Sequence, residues 1–265
     1  MLEMFHFEFM QNAFFAGILL AILCPLVGLF LVFKRYSMIS DTLSHSSFAG
    51  IALGLVLGLN PILTAFGFTI LAAIVIELLR NYYKKYAELA MSIILTFSLG
   101  IAIILVSSGK SAIKVDSFLF GSILTVSKTD LILIIIIAIC TFVSIYFLYP
   151  KLLYTTFDEE GARISGINTK FINYLFTIMV AATISVSIRV MGILVVSSIM
   201  IIPVASAMQL RKSFKETLIY SILFGIIDVI IGLFLSYNLD SAPGGTIALI
   251  SVFFLVLSII FNRKK

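Results

Sequence analysis

The sequence predicts an all-α integral membrane protein: a polytopic bundle of eight or nine transmembrane helices forming a single domain over residues 1–265. Three observations predict it. Apolar residues make up 61% of the chain and charged residues only 12%, where a soluble domain carries about 25%. The apolar residues fall in runs of about 20, the length that crosses a hydrocarbon core about 30 Å thick. Lys and Arg gather in short clusters on alternate loops between those runs, the pattern of the positive-inside rule.

The runs lie at about 12–33, 36–59, 61–80, 89–107, 130–149, 171–188, 190–208, 215–236 and 244–261. The two runs flanking Arg189 have almost no loop between them, so one of them is expected to be a partial span. Met1 to Asn12 is aromatic, mildly acidic and without a basic n-region, so the first run is expected to stay in the membrane rather than be cleaved. Cys24 and Cys140 both sit in apolar runs and read as small buried hydrophobes, with no disulfide or metal-ligand spacing. The net charge of +5 belongs to the loop clusters and is no nucleic-acid signature.

Those clusters orient the chain. Lys34-Arg35, Arg80 to Lys85, Lys151 to Lys170, Arg211 to Lys215 and Arg263-Lys264-Lys265 share one side, which the rule makes cytoplasmic. Nine spans then put the N-terminus outside and the C-terminus inside. Lys110, Lys114 and Lys128 in the outer loop 108–129 run against this assignment.

One stretch organises the rest: Ser40-Asp41-Thr42-Leu43-Ser44-His45-Ser46-Ser47-Phe48-Ala49-Gly50. Asp41 and His45 are four residues apart, so on a helix they share a face. Gly50, Gly54 and Gly58 follow at the spacing of close-packed membrane helices. A helix entering the hydrocarbon near Arg35 would carry Asp41 roughly 9 Å and His45 roughly 15 Å deep. Two readings stand. Asp41 caps a helix beginning at Thr42 and His45 makes a polar contact in its first turn, or the pair lines a polar path. A carboxylate with an imidazole suits zinc, manganese or ferrous iron. Two ligands fall short of the four of a structural zinc site, which fits an ion that must leave again.

Other segments add candidates. Phe157 to Ile167 runs acids, small residues, Arg163, then Gly166, the pattern of a short dipole-complemented helix. It is either a solvated linker or a docking helix for a soluble partner, over about 157–167. In GILVVSSIMIIPVASA, Gly192 to Ala207, Pro203 removes a backbone donor and bends the helix. Ser197, Ser198 and Ser206 then line either a polar path or a plain structural bend. Asp228, between Gly225 and Gly232, is a further pore candidate, as is Ser44. Gly109-Lys110-Ser111 lacks the upstream glycine of a phosphate-binding loop. Val115 to Gly121 reads as a short, partly re-entrant amphipathic segment. His6, in the outer tail, reads as a surface histidine.

These motifs resemble the membrane subunits of bacterial ATP-binding-cassette importers for zinc, manganese and iron. The resemblance runs through Asp41-Thr42-Leu43-Ser44-His45, Leu59-Asn60-Pro61, Val115-Asp116 with Leu119-Phe120-Gly121, Ser198 to Ala207, and Ala242-Pro243-Gly244. It extends from about residue 10 to the C-terminus and favours the zinc members. It implies a type II importer-like permease in the bacterial cell membrane, dimerising with a second copy around a central path. Two cytoplasmic ATPase subunits would supply ATP hydrolysis, and an extracellular metal-binding lipoprotein or periplasmic protein would deliver the ion. The cargo is a divalent metal, zinc favoured, with no permanently bound cofactor. The resemblance places Asp41 and His45 on the ion path and the ATPase at Asp158, Glu159, Glu160, Ala162, Arg163 and Gly166. Ser46-Ser47 departs from the small or apolar residues common in related chains.

Three alternatives predict different features. A gradient-driven cation transporter needs more intramembrane acids than Asp41, Asp228 and Glu77. A metalloenzyme needs an HExxH-like site, and the only histidines are His6 and His45. A cobalamin or siderophore importer has no use for an Asp–His pair. With no Walker A motif the chain cannot hydrolyse ATP itself.

Overall fold

The computed structural model describes residues 8–83, 86–108, 118–121, 127–239 and 241–262. The helices among them are α1 (Glu8–Phe33), α2 (Met38–Leu57), α3 (Pro61–Tyr83), α4 (Ala87–Ser107), α5 (Lys128–Phe157), α6 (Glu159–Ile164), α7 (Thr169–Met191), α8 (Ile193–Met208), α9 (Phe214–Asn238) and α10 (Pro243–Asn262). No strand occurs among the described residues. His6, Gly109-Lys110-Ser111, Val115-Asp116 and Arg263-Lys264-Lys265 lie outside them.

Among the described residues, seven helices are long and apolar enough to cross a membrane: α1, α3, α4, α5, α7, α9 and α10. The other two of the nine expected runs are α2, whose first half is polar, and α8, apolar but only 16 residues long. At about 1.5 Å per residue α8 reaches roughly 24 Å, the partial span expected beside Arg189. Arg189 itself is no loop residue. It sits in the last turn of α7 and forms an ion pair with Asp130, which is 5% exposed on α5.

Two boundaries differ from expectation. α5 was expected to end at residue 149 but runs through Pro150 to Phe157. Proline costs one backbone hydrogen bond and tends to bend rather than end a long membrane helix. α8 starts at Ile193 because Gly192 adopts φ 83°, a conformation glycine reaches without a Cβ penalty. A side chain there would meet the carbonyl carbon of Phe120 at 2.5 Å and the oxygen of Leu119 at 2.6 Å. Leu119-Phe120-Gly121 thus crosses the α7–α8 break at backbone contact.

The chain forms two compact units. One contains α1, the first part of α5, and everything from Ser187 onward. Within it α8, α9 and α10 pack on one another. Gly28 of α1 lies against the backbone of Met200, and Gly225 of α9 lies 2.7 Å, as measured from a Cβ built on it, from the carbonyl of Ala21. Cys24 is buried there beside Ser187. Cys140, expected buried, is exposed on the outer face of α5.

The second unit contains α2, α3, α4, the rest of α5, α6 and most of α7. α2 packs chiefly on α3 and α4. A Cβ on Gly50 would lie 2.7 Å from the Cα of Ala65, and one on Gly54 would lie 2.9 Å from the Cα of Pro61. The small residues let α3 approach backbone to backbone. On the α4 side, the hydroxyls of Ser46 and Ser98 are 2.8 Å apart. Gly58, expected to pack like Gly50 and Gly54, touches nothing and instead ends α2 at φ 68°.

Candidate functional site

α2 begins at Met38, so Asp41 lies in its first turn and does not cap it. Along the helix Asp41 and His45 are roughly 5 Å and 10 Å from its start, shallower than an entry at Arg35 would give. From Met38 to Ala52 four residues are open, namely Met38, Asp41, His45 and Phe48, and all others are buried. Spacings of three and four make them one narrow stripe. The only two ionisable side chains of α2 therefore share its one open face. His45 is half-buried, and its Nδ1 is buried with no hydrogen-bond partner. Ser44 does not join the stripe: it is buried, and its hydroxyl donates to the Ser40 carbonyl at 2.8 Å.

α8 repeats the pattern in the other unit. Leu194, Ser198, Ile201, Ala205 and Met208 form its open stripe, with Ile202 alongside. Ser198 is thus open, whereas Pro203 is buried. Asp228 is 1% exposed on α9, accepts a hydrogen bond from Ser251 of α10, and has its other carboxylate oxygen buried without a partner. Among the described residues no three or more His, Cys, Asp or Glu gather where they could hold a metal ion. The described residues of one chain offer the pair Asp41 and His45 and no closed site.

The 157–167 segment forms α6, one short helix. Asp158 caps it by accepting from the Gly161 amide at 2.8 Å. Ala162 is buried beneath it, and Gly166 turns the chain at φ 82°. Glu160 and Arg163 are solvent-exposed and 4.0 Å apart. Ile164 is 85% exposed. Glu159 is exposed, yet its carboxylate accepts from Asn173 of α7 at 2.7 Å, and Asn173, itself buried, accepts from the Lys34 ammonium at 2.7 Å.

A second set of polar contacts lies beside this one, and sequence reasoning missed both. Glu77, 2% exposed near the end of α3, pairs with Arg80 and accepts from Thr177 at 2.6 Å. Arg80 also donates to the Tyr36 hydroxyl. Glu77, Arg80, Tyr36, Glu159 and Asn173 share the wall of a 580 Å³ cavity. Burial pushes the pKa of Lys34 down to about 8, against the pull of Glu159 and with the push of Arg80. The i,i+3 spacing of Glu77 and Arg80 was the one signal available in the sequence.

A family model, the ABC 3 transport family, matches residues 6–262. The chain belongs to this family. The expectation carried by the DTLSH and SIMIIPVASA motifs is met. Among curated relatives, a probable metal transport system membrane protein of Treponema pallidum is 45% identical over 98% of both chains. The high-affinity zinc uptake system membrane protein ZnuB of Haemophilus influenzae is 31% identical over 98% of this chain and 99% of that one. The manganese import system permease protein ScaB of Streptococcus gordonii is 29% identical over 98% and 93%. The solved structure of PsaBC from Streptococcus pneumoniae in complex with Fab matches with a TM-score of 0.84 and 30% identity, over 95% of this chain and 91% of that one. This chain of the ABC 3 transport family is a multi-pass membrane protein and a transport subunit.

Proposed function

We propose that this ABC 3 transport family chain is the permease subunit of an importer that carries a divalent transition metal, zinc favoured, into the bacterial cytoplasm. One observation carries the reading: the single open stripe of α2 holds Asp41 and His45, with His45 Nδ1 buried and unpartnered. An ionisable pair facing lipid is costly, so such a stripe belongs against a polar cavity or a partner. A second copy of the chain would bring another Asp41 and His45, giving up to four ligands around a shared path. The relatives named for metal, zinc and manganese transport support the cargo class. The zinc preference rests on the DTLSH, LNP and VDxxLFG motifs.

The transport cycle in this reading is alternating access. An extracellular metal-binding protein releases its ion into an outer vestibule. The ion exchanges onto Asp41 and His45 of the two copies and moves on when opening of the inner side draws those ligands apart. Cytoplasmic ATPase subunits dock at α6, through exposed Glu160, Arg163 and Ile164, and drive the inner side open. Ser44, Ser198, Pro203 and Asp228 stand as pore candidates, with Ser198 the one on an open stripe. The N-terminus lies outside and the C-terminus in the cytoplasm.

A gradient-driven transporter has less support. Glu77, one of its candidate acids, is committed to Arg80 and Thr177. The test compares zinc, manganese and iron uptake in cells with and without the chain. A selective loss of zinc is expected. A selective loss of manganese or iron changes the metal and keeps the class. Unchanged uptake of all three contradicts the reading.

A further inference from the structure

Two hydrogen-bonded paths in the second unit converge on the corner that begins α2. Lys34 and Tyr36 lie in that corner, between the end of α1 at Phe33 and the start of α2 at Met38. Lys34 donates to Asn173 Oδ1, and Asn173 Nδ2 donates to Glu159 Oε1, each at 2.7 Å. One side chain, 6% exposed, therefore ties the α1–α2 corner to α6. On the other side Tyr36 is held by Arg80, Arg80 by Glu77, and Glu77 by Thr177. Thr177 lies one turn beyond Asn173 on α7, and its one hydroxyl proton is shared between Glu77 and the Asn173 carbonyl, 3.0 Å away. The paths close a ring through α7, α3 and the corner. Asp41 lies five residues past Tyr36, on the first turn that this ring holds.

We propose that Asn173 is a positioning residue that links the position of α6 to the first turn of α2, and so links ATPase docking to the Asp41–His45 stripe. The inference rests on the transport reading above. A displacement of α6 reaches Asn173 through Glu159. It reaches the corner through Lys34, whose ammonium also stands 5.3 Å over the Phe176 ring. The remaining ring holds Tyr36 to α3, so the corner turns about that point.

The polarity of the two bonds supplies the test. Asn173→Asp still accepts from Lys34 but cannot donate to Glu159. In proteoliposomes carrying the whole complex with its ATPase, ATP hydrolysis and uptake of radiolabelled zinc, manganese and iron are measured together. N173D should keep its ATPase rate within about twofold while the ATP spent per metal ion rises about tenfold, the scale of one hydrogen bond to a charged group. Adding Glu159→Gln restores the bond with donor and acceptor exchanged, so the double variant should return toward the wild-type ratio. A purely structural role for Asn173 would lower hydrolysis and uptake together and leave their ratio unchanged. An unchanged ratio in N173D, or no rescue by E159Q, overturns the proposal. Should N173D not assemble, Lys34→Met cuts the same path at its other end and the same ratio decides. A wild-type complex that hydrolyses ATP but moves none of the three metals overturns the transport reading, and the coupling role with it.

Discussion

Glu77 and Arg80 form an ion pair one turn apart at the end of α3, with side chains 2% and 9% exposed. Removing one member of a buried pair strands the other. Arg80→Met leaves the Glu77 carboxylate with Thr177 alone and should destabilise the protein by about 3–5 kcal/mol. Glu77→Gln keeps an acceptor for Thr177 and Arg80 and should cost less. Thermal unfolding in detergent reads both. The transport reading adds that E77Q, at matched membrane level, retains uptake. A gradient-driven mechanism using Glu77 as its proton carrier would lose it.

Lys34 makes stability depend on pH in a definite direction. Its pKa is 10.5 in the unfolded chain and about 8 when folded. Below pH 8 both states hold the proton and the full burial penalty applies. Between pH 8 and 10.5 the folded chain has released a proton that the unfolded chain retains, so stability gains as pH rises. The melting temperature of wild type minus that of Lys34→Met should therefore increase across this window. A flat difference would show that Lys34 is not held as described.

The glycines of α2 should separate by role. Gly54→Val drives a side chain into Thr64 and Pro61 and should disrupt the α2–α3 contact, lowering expression and uptake together. Gly58→Ala meets no atom but forces alanine to φ 68°, a cost of about 1 kcal/mol. A small melting shift with normal uptake is expected.

Much of this was legible in the sequence. The nine apolar runs correspond to the nine long or apolar helices because span length is set by the bilayer and not by tertiary detail. Asp41 and His45 stood out because a carboxylate and an imidazole are rare in such a helix. Boundaries at Pro150 and Gly192 were less legible. Proline in a long membrane helix is tolerated, and the Gly192 break depends on contact with Phe120, far away in the chain. The burial of Ser44 was not legible either: a serine in a helix can face a path or bond the carbonyl four residues back, and the sequence does not distinguish the two. The Lys34–Asn173–Glu159 path could not be read: Lys34 and Asn173 are 139 residues apart, and basic residues at a span end otherwise signal only orientation.

The ion-path assignment bears on acid conditions as well. A protonated imidazole has no lone pair for a metal. Uptake at a fixed metal concentration should fall as the medium is acidified through the titration of His45. Asp41→Asn should lower the rate while leaving uptake pH-dependent, because the imidazole remains. Uptake that is independent of pH between 5 and 8, roughly the range over which histidine titrates, would remove His45 from the path.

The most direct measurement is zinc uptake by cells carrying His45→Ala at wild-type membrane level, with assembly verified by co-purification of its partners. Loss of a direct metal ligand should lower uptake by about 100-fold or more, at least the scale seen when groups behind a ligand are removed. Uptake equal to wild type would contradict the assignment of the α2 stripe as the ion path.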